Sequence, residues 1–242
     1  MHTTLAHILR ASFICLLSSQ VLLACSVRWN WPRHAIDVVA TAQVRPSEPV
    51  MIEASDGELV EVEEAKIVLS AVEFLSCDEY ERPDLPGFSL RGLLIGDAFA
   101  HGPTTPTRIG TPHAIDLLDG AHALQVGQFQ PPPGEYCALR LHFGQGDDDV
   151  IGLEDPTELE GTSLRIRAHG VELETGAAFD TTHTFEQPWI FGDESDQQAS
   201  LTIALDTHDT FAMMPAPRED LEQRARAALM QAAQTITVEV ER

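Results

Sequence analysis

Apolar and polar residues alternate along much of this chain of 242 residues, and this pattern constrains the fold more than any other feature. In the clearest run, Leu139, Leu141 and Phe143 fall on one face of a strand, and Tyr136 and His142 fall on the opposite face. Such alternation predicts antiparallel strands that bury one face and expose the other. Strands are predicted at residues 36–44, 59–75 (with a break near Glu64), 114–118, 123–126, 135–143, 164–168, 201–205 and 236–240.

A single helix is predicted near the C terminus, before the last strand. Pro217 suits a first helical position, and Glu219 and Asp220 would follow it in the first turn. An apolar stripe then continues through Leu221, Ala225, Ala228, Leu229 and Ala232. Many short strands, turns rich in glycine and proline, and one helix predict a mainly β fold, a single antiparallel β-sandwich over residues 35–242.

The first 24 residues have the composition of a secretory signal. Arg10 supplies positive charge, and the apolar run at residues 11–24 is shorter than the roughly 20 residues that a membrane-spanning helix needs. The sequence Leu-Leu-Ala-Cys that ends at Cys25 resembles the bacterial lipobox, in which the cysteine thiol is lipidated and the chain is cut before it. We therefore expect a lipoprotein signal peptide over residues 1–24 and lipidation of Cys25. The alternatives are an ordinary signal peptide with a free Cys25 and an uncleaved apolar helix.

Residues 25–34 are expected to form a lipid-anchored juxtamembrane linker. Trp29 and Trp31 suit the headgroup layer, and two nearby arginines suit anionic lipid. A plain linker with chance aromatic residues is the alternative. Ser26 follows the cysteine where Asp would favour retention in the inner membrane, by resemblance to Gram-negative lipoproteins. The predicted location is therefore the outer membrane, facing the periplasm.

The four cysteines of the chain have separable roles in this scheme. Cys15 leaves with the signal peptide and Cys25 carries the lipid, which leaves Cys77 and Cys137 in the domain. Two cysteines in an exported domain usually form a disulfide. The alternative is a Cys–His metal or redox site, which the lack of a CxxC motif and an oxidising compartment both disfavour.

The charge of the domain is strongly negative. The first 34 positions hold three of the 15 basic residues and none of the 38 acidic residues, so the rest of the chain carries 12 basic and 38 acidic residues, a net charge of −26. Such a surface repels nucleic acid and anionic lipid. We expect no nucleic-acid partner for the domain, and contact with the membrane only through the lipid anchor and the linker beside it.

One stretch, residues 109–143, is similar to a known family. Ile115-Asp116-Leu117-Leu118 is followed by an apolar strand, then by Pro133-Gly134-Glu135-Tyr136 and Leu139-Arg140-Leu141. This order resembles exported β-sandwich proteins of the methanobactin-associated periplasmic copper-binding type, and related uncharacterised envelope lipoproteins. The resemblance implies a non-enzymatic envelope protein that binds copper. It carries no metal ligand onto a numbered residue of this chain.

Three histidines beside a segment rich in glycine and proline form a candidate metal site. His101 and His113 flank the end of this segment, residues 83–112, and His122 follows shortly. If the segment folds back, the three imidazoles could converge on copper or another divalent ion. The alternative is that all three are solvent-exposed loop residues.

Enzymatic motifs do not stand out in this sequence. It contains neither Gly-x-Ser-x-Gly nor a phosphate-binding loop, and no Ser–His–Asp set is distinguished from the many other residues of those types. We therefore predict a non-catalytic envelope lipoprotein that binds copper or another divalent ion through the loop histidines. The alternative is a surface scaffold or a module that binds an envelope protein partner and no small ligand.

Overall fold

A computed structural model describes residues 35–43, 49–54, 57–81, 104–120, 122–192, 198–207 and 236–241, together with Phe211, Ala225, Ala227 and Ala228. The predicted signal peptide, the lipidation site at Cys25, His101 and most of the predicted C-terminal helix lie outside these residues. Helical residues do precede the last strand, and of these Ala225 and Ala228 are buried in the core.

Twelve strands are described, together with two short helical turns. The strands are β1 (Ala35–Gln43), β2 (Met51–Glu53), β3 (Leu59–Ser76), β4 (Arg108–Ile109), β5 (His113–Asp116), β6 (Leu124–Phe129), β7 (Gly134–Phe143), β8 (Leu164–Ala168), β9 (Val171–Thr175), β10 (Phe179–Phe191), β11 (Gln198–Asp206) and β12 (Ile236–Glu241). The turns are α1 (Cys77–Glu81) and a 3₁₀ helix at Pro156–Leu159. None of the helices in the described part of the chain is long and apolar enough to cross a membrane.

The strands form two sheets, which confirms the prediction of a mainly β sandwich. The small sheet has the order β12-β11-β1-β6, and the large sheet has the order β10-β7-β3-β8-β9, with β2, β4 and β5 also paired to β3. Phe74 of the large sheet and Phe129 of the small sheet are both buried, with ring centroids 5.4 Å apart, so the core lies between the sheets. The pairings are antiparallel except that β1 and β11 run parallel.

Strand β3 is the centre of the large sheet. It is 18 residues long, and residues 67–72 are all buried, because both faces of the strand are covered there. The predicted break near Glu64 is a register shift against β8 between Val62 and Glu64, not an end of the strand. A β-bulge of this kind bends a strand without interrupting it.

Strand β7 contains a bulge that the alternating pattern did not predict. Leu75 pairs with Ala138 and Ser76 pairs with Tyr136, so Cys137 is the extra residue. The bulge turns Tyr136 onto the face of Leu139, whereas strict alternation placed it on the opposite face. Tyr136 is consequently buried, and its hydroxyl donates to the carbonyl oxygen of Pro132 at 3.0 Å.

The predicted disulfide between Cys77 and Cys137 is present. Cys77 is the first residue of α1, which follows β3 directly. Ser76 caps that helix: its Oγ accepts from the Glu79 amide at 3.3 Å, and the Glu79 carboxylate accepts from the Ser76 amide at 3.1 Å. The disulfide therefore ties the end of β3 to the bulge of β7.

Candidate functional site

A cleft of about 520 Å³ opens between β10, at one end of the large sheet, and β12, at one end of the small sheet. Its walls combine aromatic, hydroxyl, amide and carboxylate side chains. The lining residues are His183, Thr184, Phe185, Glu186, Gln187, Trp189, Thr237 and Val238. A concave site that combines apolar surface with a few polar groups is the usual form of a binding site.

An excursion of β10 away from β7 shapes the cleft. Thr184 pairs with Ala138 and Trp189 pairs with Tyr136, so residues 185–188 of β10 face only one residue, Cys137, on β7. Bulges at sheet edges redirect side chains and often lie beside functional sites. Here the excursion carries Phe185 and its neighbours into the opening between the sheets.

A cluster of aromatic rings packs against the inner side of the excursion. The Phe74 ring lies at the centre of this cluster, 5.5 Å from Phe185, 5.4 Å from Trp189 and 4.9 Å from Tyr136, measured between ring centroids. Phe185 and Trp189 meet nearly at right angles, 5.9 Å apart, which is a favourable arrangement of two rings. Because Trp189 is 4% exposed, it forms the floor of the cleft and Phe185 forms its wall.

The start of the excursion is fixed by a contact to α1. The Tyr80 hydroxyl and the Thr184 hydroxyl are 2.9 Å apart, so the helix that contains Cys77 is bonded to the last β10 residue before the excursion. The His183 ring meets the Phe185 ring edge-to-face, with centroids 6.4 Å apart, and burial lowers the pKa of its imidazole below the ordinary 6.5. At neutral pH this ring is uncharged, so one nitrogen can donate a hydrogen bond and the other can accept one.

The inner face of β10 is only half covered. Phe179, Thr181, His183 and Phe185 point inward and are all of intermediate exposure, whereas the residues that alternate with them are exposed. The inward residues of β7, in contrast, are fully buried. The sandwich is therefore less completely packed on the β10 side than at its centre.

The predicted metal-site histidines occupy different environments. His113 lies in β5, is 2% exposed, and its Nδ1–H donates to the carbonyl oxygen of Thr111 at 2.8 Å. Burial lowers the pKa of His113 despite that bond. His122 is an exposed loop residue whose Nδ1 is 2.7 Å from Asp119 Oδ2. His101 lies outside the described residues.

No metal-binding cluster is assembled within the described ranges. In that part of the chain, no three side chains of the His, Cys, Asp and Glu types form a group that could hold a metal ion. Because His101 is not among these residues, the three-histidine site stays a prediction.

A row of charges crosses the outer face of the large sheet. Glu73 Oε2 lies 3.6 Å from Arg108 Nη1, 3.5 Å from Arg140 Nη1 and 3.4 Å from His142 Nε2. His142 Nδ1 is 2.7 Å from Asp180 Oδ1. The hydrogen bond from His142 lowers the pKa of Glu73; burial opposes it, and attraction to Arg108 and Arg140 adds to it. The row pairs acidic with basic side chains and connects four adjacent strands, β4, β3, β7 and β10, although Arg108 Nε is buried without a hydrogen-bond partner among the described residues.

Sequence reasoning missed β10 and with it the cleft. The strand contains Thr181, His183 and Pro188, so its inward positions do not form a clear apolar series. The available signal was a run of β-favouring threonines and aromatic residues at 179–191, interrupted by one proline, which is the composition of an edge strand with a bulge.

Comparison with known proteins found no relative: no protein-family model, curated protein or solved structure matches the chain.

Proposed function

We propose that this is a non-catalytic lipoprotein of the bacterial envelope whose β-sandwich binds a protein partner at the cleft between β10 and β12. The observation that carries the proposal is the excursion of residues 185–188, which replaces regular strand pairing with an aromatic-walled opening. Irregular pairing weakens a sheet, so a supported excursion at a sheet edge is best explained by binding.

Photo-crosslinking tests the binding site. A photoreactive amino acid at position 187, on the excursion, should give a discrete protein adduct in intact cells. The matched control carries the same group at His169, an exposed residue in the turn between β8 and β9. Absence of an adduct at position 187, or equal adducts at both positions, rejects the cleft as the partner site.

The envelope location is supported by the cysteine pattern. The disulfide between Cys77 and Cys137 suits an oxidising compartment, and the remaining two cysteines belong to the predicted signal peptide and lipobox. Two or more acyl chains on Cys25 would give stable anchoring, which a single chain does not provide.

Metabolic labelling with a fatty-acid analogue tests the anchor. The wild-type protein and a Cys15→Ser variant should both incorporate the label, whereas Cys25→Ser should lose it and leave the membrane fraction. Labelling that survives in Cys25→Ser contradicts the assignment of the lipid to this thiol.

Metal binding is a second candidate, and the His122 and Asp119 pair is the observation that favours it. A histidine that binds a metal usually donates its other ring nitrogen to a carboxylate, and His122 Nδ1 meets Asp119 in this way. Asp116, Asp119 and His122 line one surface depression of about 150 Å³. In this arrangement Nε2 of His122 would face copper or another divalent ion, with His101 and His113 as the further predicted ligands.

Elemental analysis after loading with Cu²⁺ tests this candidate. Wild type and His169→Ala should retain stoichiometric metal, and His101→Ala and His122→Ala should lose it. If wild type holds no stoichiometric metal, the candidate fails. If both variants retain the metal, the ligands are misassigned.

A further inference from the structure

We infer that the occupant of the cleft is an extended, net basic segment of the partner protein, which pairs with β10 as an additional strand of the large sheet. The inference rests on the proposed function, since it specifies how the partner binds there. It is carried by three observations: the edge of β10 that no other described strand pairs with, the half-covered inner face of that strand, and the charge of the domain.

Within the described ranges, one edge of β10 has no strand paired to it. β10 ends the strand order of the large sheet, and β7 is its strand partner among the described residues. A terminal strand presents a row of backbone N–H and C=O groups, and an extended peptide can pair with such a row. Pro188 lacks an N–H and residues 185–188 leave the regular strand, so pairing is restricted to residues 179–184.

The half-covered face beside this edge supplies pockets for the side chains of an added strand. Thr181 and His183 point inward but remain partly exposed, and Phe185 and Val238 bound the cleft from the two sheets. Alternate side chains of a paired segment would enter here, because the side chains of a strand alternate between its faces. An apolar side chain of the partner segment that packs against Phe185 would cover this partly exposed face, as side chains already cover the face at the centre of the core.

The charge of the domain selects a basic segment over a second copy of the chain. Residues 35–242 carry 12 basic and 38 acidic residues, and Glu186 lies at the cleft itself. Two copies would bring the same excess of negative charge together, which is unfavourable, whereas a basic segment is attracted over a distance.

A peptide probe tests strand pairing directly. The protein is the lipidated mature chain in non-ionic detergent with Trp29→Phe and Trp31→Phe, which leaves Trp189 as its single tryptophan. The probes are peptides of about ten residues, the upper end of usual strand lengths, with alternating valine and lysine. Two N-methylated versions of the peptide are compared: one is methylated at every second amide, and the other is methylated at the amides in between. A matched peptide carries glutamate in place of lysine.

We expect the lysine peptide to change the fluorescence of Trp189 saturably. Methylation in one register should weaken binding at least tenfold, and methylation in the other should have little effect, because one edge of a strand pairs and the other does not. The glutamate peptide should bind at least tenfold more weakly. Phe185→Ala should weaken binding, whereas Ile190→Ala, on the same strand but outward and 60% exposed, should not.

Other outcomes overturn the inference. Equal effects of both methylation registers show that the peptide does not pair as a strand. A basic segment is rejected as the occupant if the glutamate peptide binds as tightly as the lysine peptide, or if the lysine peptide shows no saturable binding. It is also rejected if the protein forms concentration-dependent dimers through position 187. Because the methylated groups are on the peptide, these results do not depend on how a variant folds. If the crosslink at position 187 persists in any of these cases, the proposed function stands and only the mode of binding is wrong.

Discussion

Two buried or half-buried ionisable side chains, His113 and Glu73, tie the stability of this domain to pH in different ranges. Each is held in one protonation state by the contacts around it. His113 is kept neutral by the core, and Glu73 is kept ionised by His142 and two arginines. Since a changed pKa means a changed free energy of unfolding, each side chain gives a prediction at the residue scale.

His113 should make the domain less stable in mild acid. The pKa of His113 in the folded chain lies below 6.5, which is its ordinary value in an unfolded chain. Between these two pKa values, the unfolded chain binds a proton that the folded chain does not. The contribution of neutral His113 is therefore complete above pH 6.5 and is lost as the pH falls towards the folded pKa. Urea unfolding between pH 7.5 and 5.5 should show a shallower pH dependence for His113→Gln than for wild type.

The control for this prediction is His169→Gln, because His169 is exposed. Its pH dependence should match that of wild type. His183, whose pKa is also lowered by burial, is left unchanged and contributes equally in all three proteins. Parallel curves for wild type and His113→Gln would contradict the assigned role.

Glu73 should stabilise the domain at neutral pH and cease to do so in stronger acid. Its pKa is lowered below 4.5, so the stabilisation is present above pH 4.5 and is lost as the pH falls through the folded pKa. Glu73→Gln should lower the free energy of unfolding by about 2 kcal/mol at pH 7, the size of a lost hydrogen bond to a charged group. Chemical denaturation at pH 7 and pH 3 measures the difference.

Glu172→Gln is the matched control, because Glu172 pairs with Arg167 on the same sheet but its side chain is 57% exposed. An exposed pair contributes little, so this variant should stay within about 0.5 kcal/mol of wild type. A difference between Glu73→Gln and wild type that is as large at pH 3 as at pH 7 would rule out the ionised carboxylate as the cause.

At the scale of elements, β3, α1 and β7 are held together by a helix cap and a disulfide. The capped α1 follows β3 without a loop, and the disulfide returns from α1 to the bulge of β7. Through Tyr80 and Thr184, α1 also fixes the beginning of the β10 excursion. The cleft therefore depends on a disulfide that is not part of its lining.

Removing the disulfide should destabilise the domain strongly. Cys77 and Cys137 are 60 residues apart, and closing a loop of that length stabilises a fold by about 4 kcal/mol in the chain-entropy model. Cys77→Ser combined with Cys137→Ser should therefore unfold at much lower urea concentration than wild type. Wild type in reductant should behave like the double variant. Identical midpoints with and without the disulfide would contradict the prediction.

The elements also show where sequence patterns succeed. Strands with apolar inward residues, such as β7, β8 and β11, were predicted because a period of two is a local property that the sequence displays. β10 was missed because its inward threonine and histidine positions are only half buried, so the burial that creates a clear pattern is incomplete there. Tyr136 was placed on the wrong face because a bulge depends on the partner strand.

At the scale of the whole molecule, the net charge of −26 over residues 35–242 sets the response to salt. Self-repulsion opposes the compact state, and salt screens it over about 10 Å at 0.1 M. We expect the melting temperature at pH 7 to rise by a few degrees between 0.05 and 0.5 M sodium chloride, since 1 kcal/mol corresponds to roughly 2–4 °C in a domain of this size.

The control is the same titration near pH 4.6, the isoelectric point of the full 242-residue sequence. The net charge of residues 35–242 is far smaller there than at pH 7, so the effect of salt on the melting temperature should be smaller as well. Scanning fluorimetry at both pH values measures the two responses. A melting temperature at pH 7 that is constant or falls with salt would mean that local ion pairs, such as the row around Glu73, outweigh the long-range repulsion.

The amino-acid sequence by itself determined the mainly β class, most of the strands, the negative charge and the pairing of Cys77 with Cys137. Alternation, composition and cysteine count are properties of neighbours in the chain or of the chain as a whole, so no knowledge of contacts was needed. The tertiary structure decided that His113 is a core residue, that Tyr136 faces inward and that a cleft opens between β10 and β12. The inward Tyr136 and the cleft follow from the register of β7 against β3 and β10, because a single extra residue on one strand changes the face of every side chain beyond it. His113 is buried because β5 pairs with β3, a contact between residues distant in sequence.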